Sequence, residues 1–260
     1  MKITSLITTS ILTVSLFLIS GFKTAESLRI KKNEAMHLGA WDLDSYSIEG
    51  NDNFKDAKVV KIISNGHFAL TAYRLDSKEF LGTLGGTFEI DGETIKETIE
   101  FNTWNAEEVG NTYTFSLKMK GKNMTLNSNE SKAVFEWKRI DKGANSGATL
   151  AGAWRIRERE RDGEMSTMKR GPRKTIKILS GTRFQWTAFN SETKEFMGTG
   201  GGIYTAKDGK YTETIEYFSR DVSRVGMSLS FDFERKGNDW HHKGKSSKGQ
   251  PIYEIWGLED

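Results

Sequence analysis

Cysteine is absent from the 260 residues, which excludes disulfides, thiolate metal sites and a lipid-attachment cysteine of the bacterial lipoprotein kind. Proline occurs only twice, at Pro172 and Pro251, so long strands can run without interruption. An excess of one charge is missing too. Thirty-eight Lys and Arg against 35 Asp and Glu leave a net charge of +3, spread over both halves, and no nucleic-acid partner is expected. No convincing amphipathic helix can be found, and beyond the N-terminus no stretch is apolar enough to cross a membrane. What remains is a chain with an ordinary aromatic share and room for two domains.

The N-terminus has its own character. Met1-Lys2 precedes an apolar run from Ile3 to Phe22 broken only by Ser, Thr and Gly, which reads as an export signal over residues 1–25. Gly21 and Thr24-Ala25 offer a peptidase site, with Lys23 unfavourable there. The alternative is an uncleaved anchor, since roughly 20 apolar residues can span a bilayer. Either way the expected place is outside the cytoplasm, with membrane contact only through this segment.

The rest of the chain says nearly the same thing twice. Lys61 to Phe115 can be laid on Lys177 to Phe231 with a constant offset and no gap. Lys61-Ile62-Ile63-Ser64 returns as Lys177-Ile178-Leu179-Ser180, Glu79-Phe80 as Glu195-Phe196, and Glu97-Thr98-Ile99-Glu100-Phe101 as Glu213-Thr214-Ile215-Glu216-Tyr217. Self-similarity at this period means one architecture duplicated.

Within each half, apolar and polar residues alternate with period two. Val225, Met227, Leu229, Phe231 and Phe233 form one face of such a run, the pattern of a strand with one side on a core. Asn65-Gly66, Asp91-Gly92, Asp208-Gly209 and Gly237-Asn238 fall between the runs as hairpin turns. About eight short strands per half result. The expected fold is all-β, two tandem eight-stranded up-and-down barrels, because closure removes exposed edges; an open sandwich is the rival. The expected domains are 36–141 and 150–258, joined by a polar linker at 142–149.

Gly39-Ala40-Trp41 and Gly152-Ala153-Trp154, each opening a meander, resemble the Gly-x-Trp signature of lipocalins and lipocalin-like barrels. The ordered set Lys177-Ile178, Phe184-Gln185-Trp186, Gly198 to Tyr204, Tyr211 to Tyr217 and Glu254-Ile255-Trp256 is similar to uncharacterised lipocalin-like secreted or membrane proteins of Bacteroides-type Gram-negative bacteria. That resemblance implies a fold and an exported address, without an activity. It also implies an Arg from the last strand covering the Trp; Arg139 suits the first half, and the second half ends without one.

Alternation places a carboxylate on an apolar face in each half. Tyr211, Glu213, Ile215 and Tyr217 share a face by strand periodicity, as do Ile95, Glu97, Ile99 and Phe101. A buried carboxylate needs a cation, a donor network, water or a ligand. One reading is an internal network with Gln185, hydroxyls or an Arg; another is the polar anchor of a ligand cavity. The second half is richer in rings, so the expected ligand site there comprises Glu213, Gln185, Trp186, Tyr204, Tyr211, Tyr217, Trp240 and Glu254, with Glu97 as the first-half counterpart. The expected partner is a small amphipathic molecule or saccharide.

Other signals are weaker. His241-His242 are adjacent and so point to opposite faces of a strand, against a shared metal. Gly198 to Gly202 lacks the Lys-Ser/Thr and helix of a phosphate loop, and suits a bent, closely packed strand. Arg155, Arg157, Arg159 and Arg161 share one face, either salt-bridged to neighbours or free to dock an anionic partner. No cofactor is implied. Two rival functions remain, a structural or protein-interaction module with filled barrels, and a carbohydrate-active enzyme using Glu213 and Glu254 as an acid and base pair.

Overall fold

Period-two alternation with short turns produces hairpins in sequence order, and hairpins in sequence order close on themselves. The computed structural model describes residues 36–48 and 54–259, so the expected export signal lies outside the described residues. The first barrel consists of β1 (Gly39–Ser47), β2 (Lys58–Ser64), β3 (His67–Tyr73), β4 (Phe80–Asp91), β5 (Thr94–Asn102), β6 (Thr112–Lys120), β7 (Asn123–Ser128) and β8 (Val134–Arg139). It closes by pairing β1 with β8, Trp41 opposite Arg139.

The second barrel contains β9 (Gly152–Arg161), β10 (Glu164–Thr167), β11 (Arg173–Leu179), β12 (Arg183–Asn190), β13 (Glu195–Lys207), β14 (Lys210–Phe218), β15 (Ser228–Lys236), β16 (Asp239–Lys245) and β17 (Pro251–Leu258). β9 pairs with β17, closing an eight-stranded barrel, and the exposed β10 is a ninth strand folded back onto the far half of β9. The longer segment after Trp154 is this additional hairpin.

Each barrel has a sealed end and a far end. Trp41 is fully buried at the start of β1, donates its indole N–H to the His37 carbonyl at 2.8 Å, and lies under the Arg139 guanidinium at 4.1 Å from the ring centre. Trp154 repeats the arrangement through the Leu150 carbonyl. The cation missing from the last strand is replaced from another: Arg235 of β15 stands 5.3 Å over the Trp154 ring.

Strand alternation is interrupted once in each copy, and the interruption matters for every assignment of facing. Between Gly85 and Gly86 the register of β4 on β5 slips by one, and between Gly201 and Gly202 that of β13 on β14 does the same. A bulge adds a residue on one side and exchanges the faces beyond it. Ile215 remains inside; Tyr217 turns outward, and Phe218 turns in to meet Trp186 at 5.5 Å between ring centres. Phe101 turns outward likewise. Glycine suits these positions because a Cβ on Gly201 would collide with the Tyr217 hydroxyl and one on Gly86 with the Thr98 carbonyl.

The outward rings form a seam between the barrels, which belong to one compact unit that starts at His37. Val60, Ile62, Ala69, Tyr73 and Phe101 of the first barrel pack on Ala153, Ile176, Ile178, Phe189 and Tyr217 of the second. The pairs exchange under the internal repeat: Tyr73 meets Tyr217 at 4.9 Å, and their equivalents Phe189 and Phe101 meet at 5.0 Å. The barrels are therefore related by an approximate twofold axis across the seam.

The segment between the barrels is anchored by one carboxylate. Asp141 accepts backbone N–H groups from Ala40, Gly143, Gly181 and Thr182 and hydroxyls from Ser180 and Thr182. Burial opposes ionisation of Asp141, but these donors overcome it and hold its pKa below the usual value. The end of β8 is thereby tied to the hairpin that joins β11 to β12.

Candidate functional site

Both inward glutamates have a lysine partner. Lys61 of β2 ion-pairs with Glu97 of β5, and Lys177 of β11 pairs with Glu213 of β14 at 2.7 Å; all four side chains are buried. Lys61 shares its buried strand face with Val59 and Ile63. Ring faces complete its surroundings, with Phe68 at 4.8 Å and Trp137 at 5.9 Å from the Nζ.

The two pairs differ in what lies above them. In the first barrel a cavity of about 460 Å³ runs from Lys61 and Glu97 to the end of the barrel opposite Trp41. Its walls are Leu70, Leu84, Ile99, Phe115, Leu126, Phe135 and Trp137, and its mouth is formed by Phe54, Trp104, Asn105, Glu108 and Ser131. The size is that of an ordinary small-molecule site.

Asn102 organises the mouth. Its side-chain oxygen accepts the backbone N–H groups of Trp104 and Asn105, and its amide donates to Glu108 at 2.8 Å. The short 3-10 turn Ala106–Glu108 that follows is capped by Asn105 and held from the second barrel by Lys194, whose Nζ lies 2.9 Å from a Glu107 carboxylate oxygen.

Hydrogen-bonding capacity at the base of the cavity is unspent. An ammonium has three N–H donors, and Lys61 gives one to Glu97 Oε1; among the described residues no other partner takes Lys61, and Glu97 Oε2 receives no donor. Trp137, 2% exposed and part of the same wall, has a fully buried indole N–H that finds no acceptor among the described residues. Its counterpart Trp256 donates to Glu254 Oε2 at 3.0 Å. Phe135 stands where Glu254 would be.

In the second barrel that space is occupied by side chains. Trp240 and His242 stand where the first barrel has Met124 and Leu126, and each faces β17 in the register by which Met124 and Leu126 face β8. Tyr211 replaces Ile95 and donates its hydroxyl to Glu213 at 2.8 Å. Four rings, those of Phe184, Tyr211, Trp240 and Trp256, lie within 5.2–5.8 Å of Lys177 Nζ. The cavity of about 460 Å³ thus lies in the first barrel, whereas among the rings of the second, expected to line a pocket, Tyr211, Trp240 and His242 take up the corresponding space.

The individual residues separate accordingly. Glu213, Tyr211, Trp240 and Glu254 do come together inside the second barrel, with Trp186 toward its far end and Tyr204 at the sealed end, where its hydroxyl donates to the Ser180 carbonyl at 2.6 Å. Gln185 and Tyr217 do not join them. Gln185 points into the seam, accepting from Thr71 at 2.7 Å and from the Tyr217 hydroxyl at 3.1 Å while donating to Thr83 and Thr187. Glu97 is the member of the set that borders the cavity. Lys61, Trp137 and Asn102 were missed; a lysine centred on an apolar face and repeated as Lys177 was the available signal.

Charge in the second interior is settled by neighbours. Burial opposes ionisation of Glu254, yet His242 and Arg159 beside it bring its pKa down to about 2. Such a carboxyl is ionised near neutral pH, the state of a base and not of a proton donor in a carboxyl pair. Burial pushes His242 below its usual value, keeping the ring neutral at pH 7. His241 lies on the other face against the Tyr253 hydroxyl at 2.9 Å. The arginine stripe is largely engaged within the molecule: Arg157 forks onto Asp239, Arg159 onto Glu254, and Arg155 meets the Gly171 carbonyl.

No protein-family model matches the chain, and no curated protein matches it. Among solved structures, the uncharacterized protein YLR301w of Saccharomyces cerevisiae aligns over 85% of this chain and 98% of its own, at 12% identity and a TM-score of 0.48. Transferrin Binding Protein B of Haemophilus parasuis aligns over 78% of this chain and 61% of its own, at 9% identity and a TM-score of 0.24. Intact Ap-TbpB, with N and C lobes, aligns over 85% and 75% at 10% identity and a TM-score of 0.18. At such values no ligand, partner or activity passes from those proteins to this one. The tandem-barrel architecture is established by the strands themselves; the narrower kinship with Bacteroides-type proteins has no family model to carry it.

Proposed function

We propose that the protein is a binding module whose first barrel takes a small, mostly apolar molecule, and whose second barrel is a filled scaffold. The observation that carries this reading is the cavity of about 460 Å³ above the Lys61–Glu97 pair, bounded by aliphatic and aromatic side chains and open toward the Trp104 end. Apolar walls with a few aimed polar groups favour burial of an apolar body and orient it by one polar end. The apolar N-terminal run supports work outside the cytoplasm.

The test uses the full chain and the neutral fluorescent probe N-phenyl-1-naphthylamine. Saturable binding with one probe per chain is expected. Ala133→Trp, which places an indole in the cavity wall, should abolish that binding while leaving the circular dichroism of the barrels intact. Probe binding unaffected by Ala133→Trp, or none in the wild type, contradicts the reading.

A further inference from the structure

Resting on that reading and extending it, we infer that the first barrel selects molecules whose polar end is a neutral hydroxyl rather than a carboxylate or an amine. The base of the cavity holds one cation and one anion, so its net charge is zero before a ligand arrives. A carboxylate entering there would face Glu97 in a low-dielectric interior, and an ammonium would face Lys61; each leaves one uncompensated buried charge. A hydroxyl adds no charge.

The inventory of spare groups points the same way. Among the described residues Lys61 has Glu97 Oε1 as its one hydrogen-bond acceptor, which leaves two N–H groups over, and Glu97 Oε2 has no donor. A hydroxyl oxygen accepts through two lone pairs and donates one proton, so a single atom can serve surplus donors and the idle carboxylate oxygen together. An ether or a hydrocarbon would leave Glu97 Oε2 as it is, and a carboxylate has no proton to give it.

The second barrel shows what the same pair requires when no ligand is to be admitted. There the Tyr211 hydroxyl donates to Glu213 Oε1, the oxygen that Lys177 also pairs with, and the Trp256 indole has Glu254 as acceptor. Protein groups supply a phenolic O–H and a carboxylate where the first barrel has Ile95 and Phe135. The hydroxyl inferred for the ligand thus has a protein counterpart at the equivalent pair.

Isothermal titration of the full chain at pH 7 with decan-1-ol, decanoate and decylammonium tests the inference. Decan-1-ol should bind at least ten-fold more tightly than either ion. In Glu97→Gln the positive charge of Lys61 has no counter-charge, and decanoate should become the preferred probe. Should that variant not fold, Lys61→Met combined with Glu97→Leu removes both charges and should weaken decan-1-ol at least ten-fold while N-phenyl-1-naphthylamine still binds. Equal affinities in the wild type, a preference for either ion, an unchanged order in Glu97→Gln or unchanged decan-1-ol affinity in the double variant would overturn the hydroxyl preference and leave a binding barrel. Failure of all three probes and of N-phenyl-1-naphthylamine would instead remove ligand binding itself.

Discussion

Phe80 and Phe196, which occupy the same position in the two copies, stack on each other across the seam with ring centres 6.5 Å apart and planes 2° from parallel. A residue meets its own equivalent only on a twofold axis. Lys78 and Lys194 respect the same axis, each reaching from a β3–β4 or β12–β13 turn to the mouth of the other barrel. Gln185 breaks the symmetry. It stands where the first copy has Ala69, and its one amide serves threonines from both barrels.

Gln185→Ala should therefore cost more than a surface substitution. It leaves the buried Tyr217 hydroxyl without its acceptor and Thr71 with Thr83 alone, and the expected loss is about 2 kcal/mol. Urea denaturation checks it; a change below about 0.5 kcal/mol would mean that water replaces the amide without penalty.

Asp141→Ala should destabilise by about 3 kcal/mol, since it leaves backbone N–H groups of two segments without their charged acceptor. The folded pKa of Asp141 is depressed, so its contribution is complete above the usual carboxylate range and lost as pH falls through the folded value. The difference between wild type and Asp141→Ala in urea should shrink accordingly in acid.

Lys177→Met should cost about 3–5 kcal/mol by leaving Glu213 charged and unpaired in an aromatic interior. Adding Glu213→Leu to it should recover much of that loss, as the isolated charge disappears. A cycle of urea measurements on wild type, both single variants and the double variant decides the matter, and strictly additive losses would contradict pairing.

His242 gives the second barrel a dependence on pH. Its folded pKa is lowered while the unfolded chain binds a proton near the usual histidine value of about 6.5. Below that value protons favour the unfolded state, so stability should fall by up to about 1.4 kcal/mol per pH unit until the folded ring itself titrates. His242→Leu, which installs the residue found at the matching first-barrel position, Leu126, should flatten this part of the profile. Glu254 contributes a second loss further down, between the usual carboxylate value and about 2.

Much of the fold was legible because alternation and turns are local. Trp41 and Trp154 open matching barrels, and Glu97 and Glu213 point inward as period two requires. The facing of Tyr217 and Phe101 was not legible, because a bulge between Gly201 and Gly202, or Gly85 and Gly86, changes parity without altering the pattern of apolar letters. The lysine partners stood in plain view as Lys61 and Lys177, repeated within apolar runs, but as features of the repeat they carried no sign of direction. The place of the cavity depends on summed volume: Trp240, His242 and Tyr211 against Met124, Leu126 and Ile95 decide it, and ring content alone reads the same for lining and filling.

Crystals of the full chain under xenon pressure would test the central claim most directly, because xenon enters apolar voids without a polar handle. The account predicts xenon density in the first barrel among Leu70, Leu126 and Phe135, and none beside Tyr211 and Trp240 in the second. Density confined to the second barrel, or absent from the first, would contradict it.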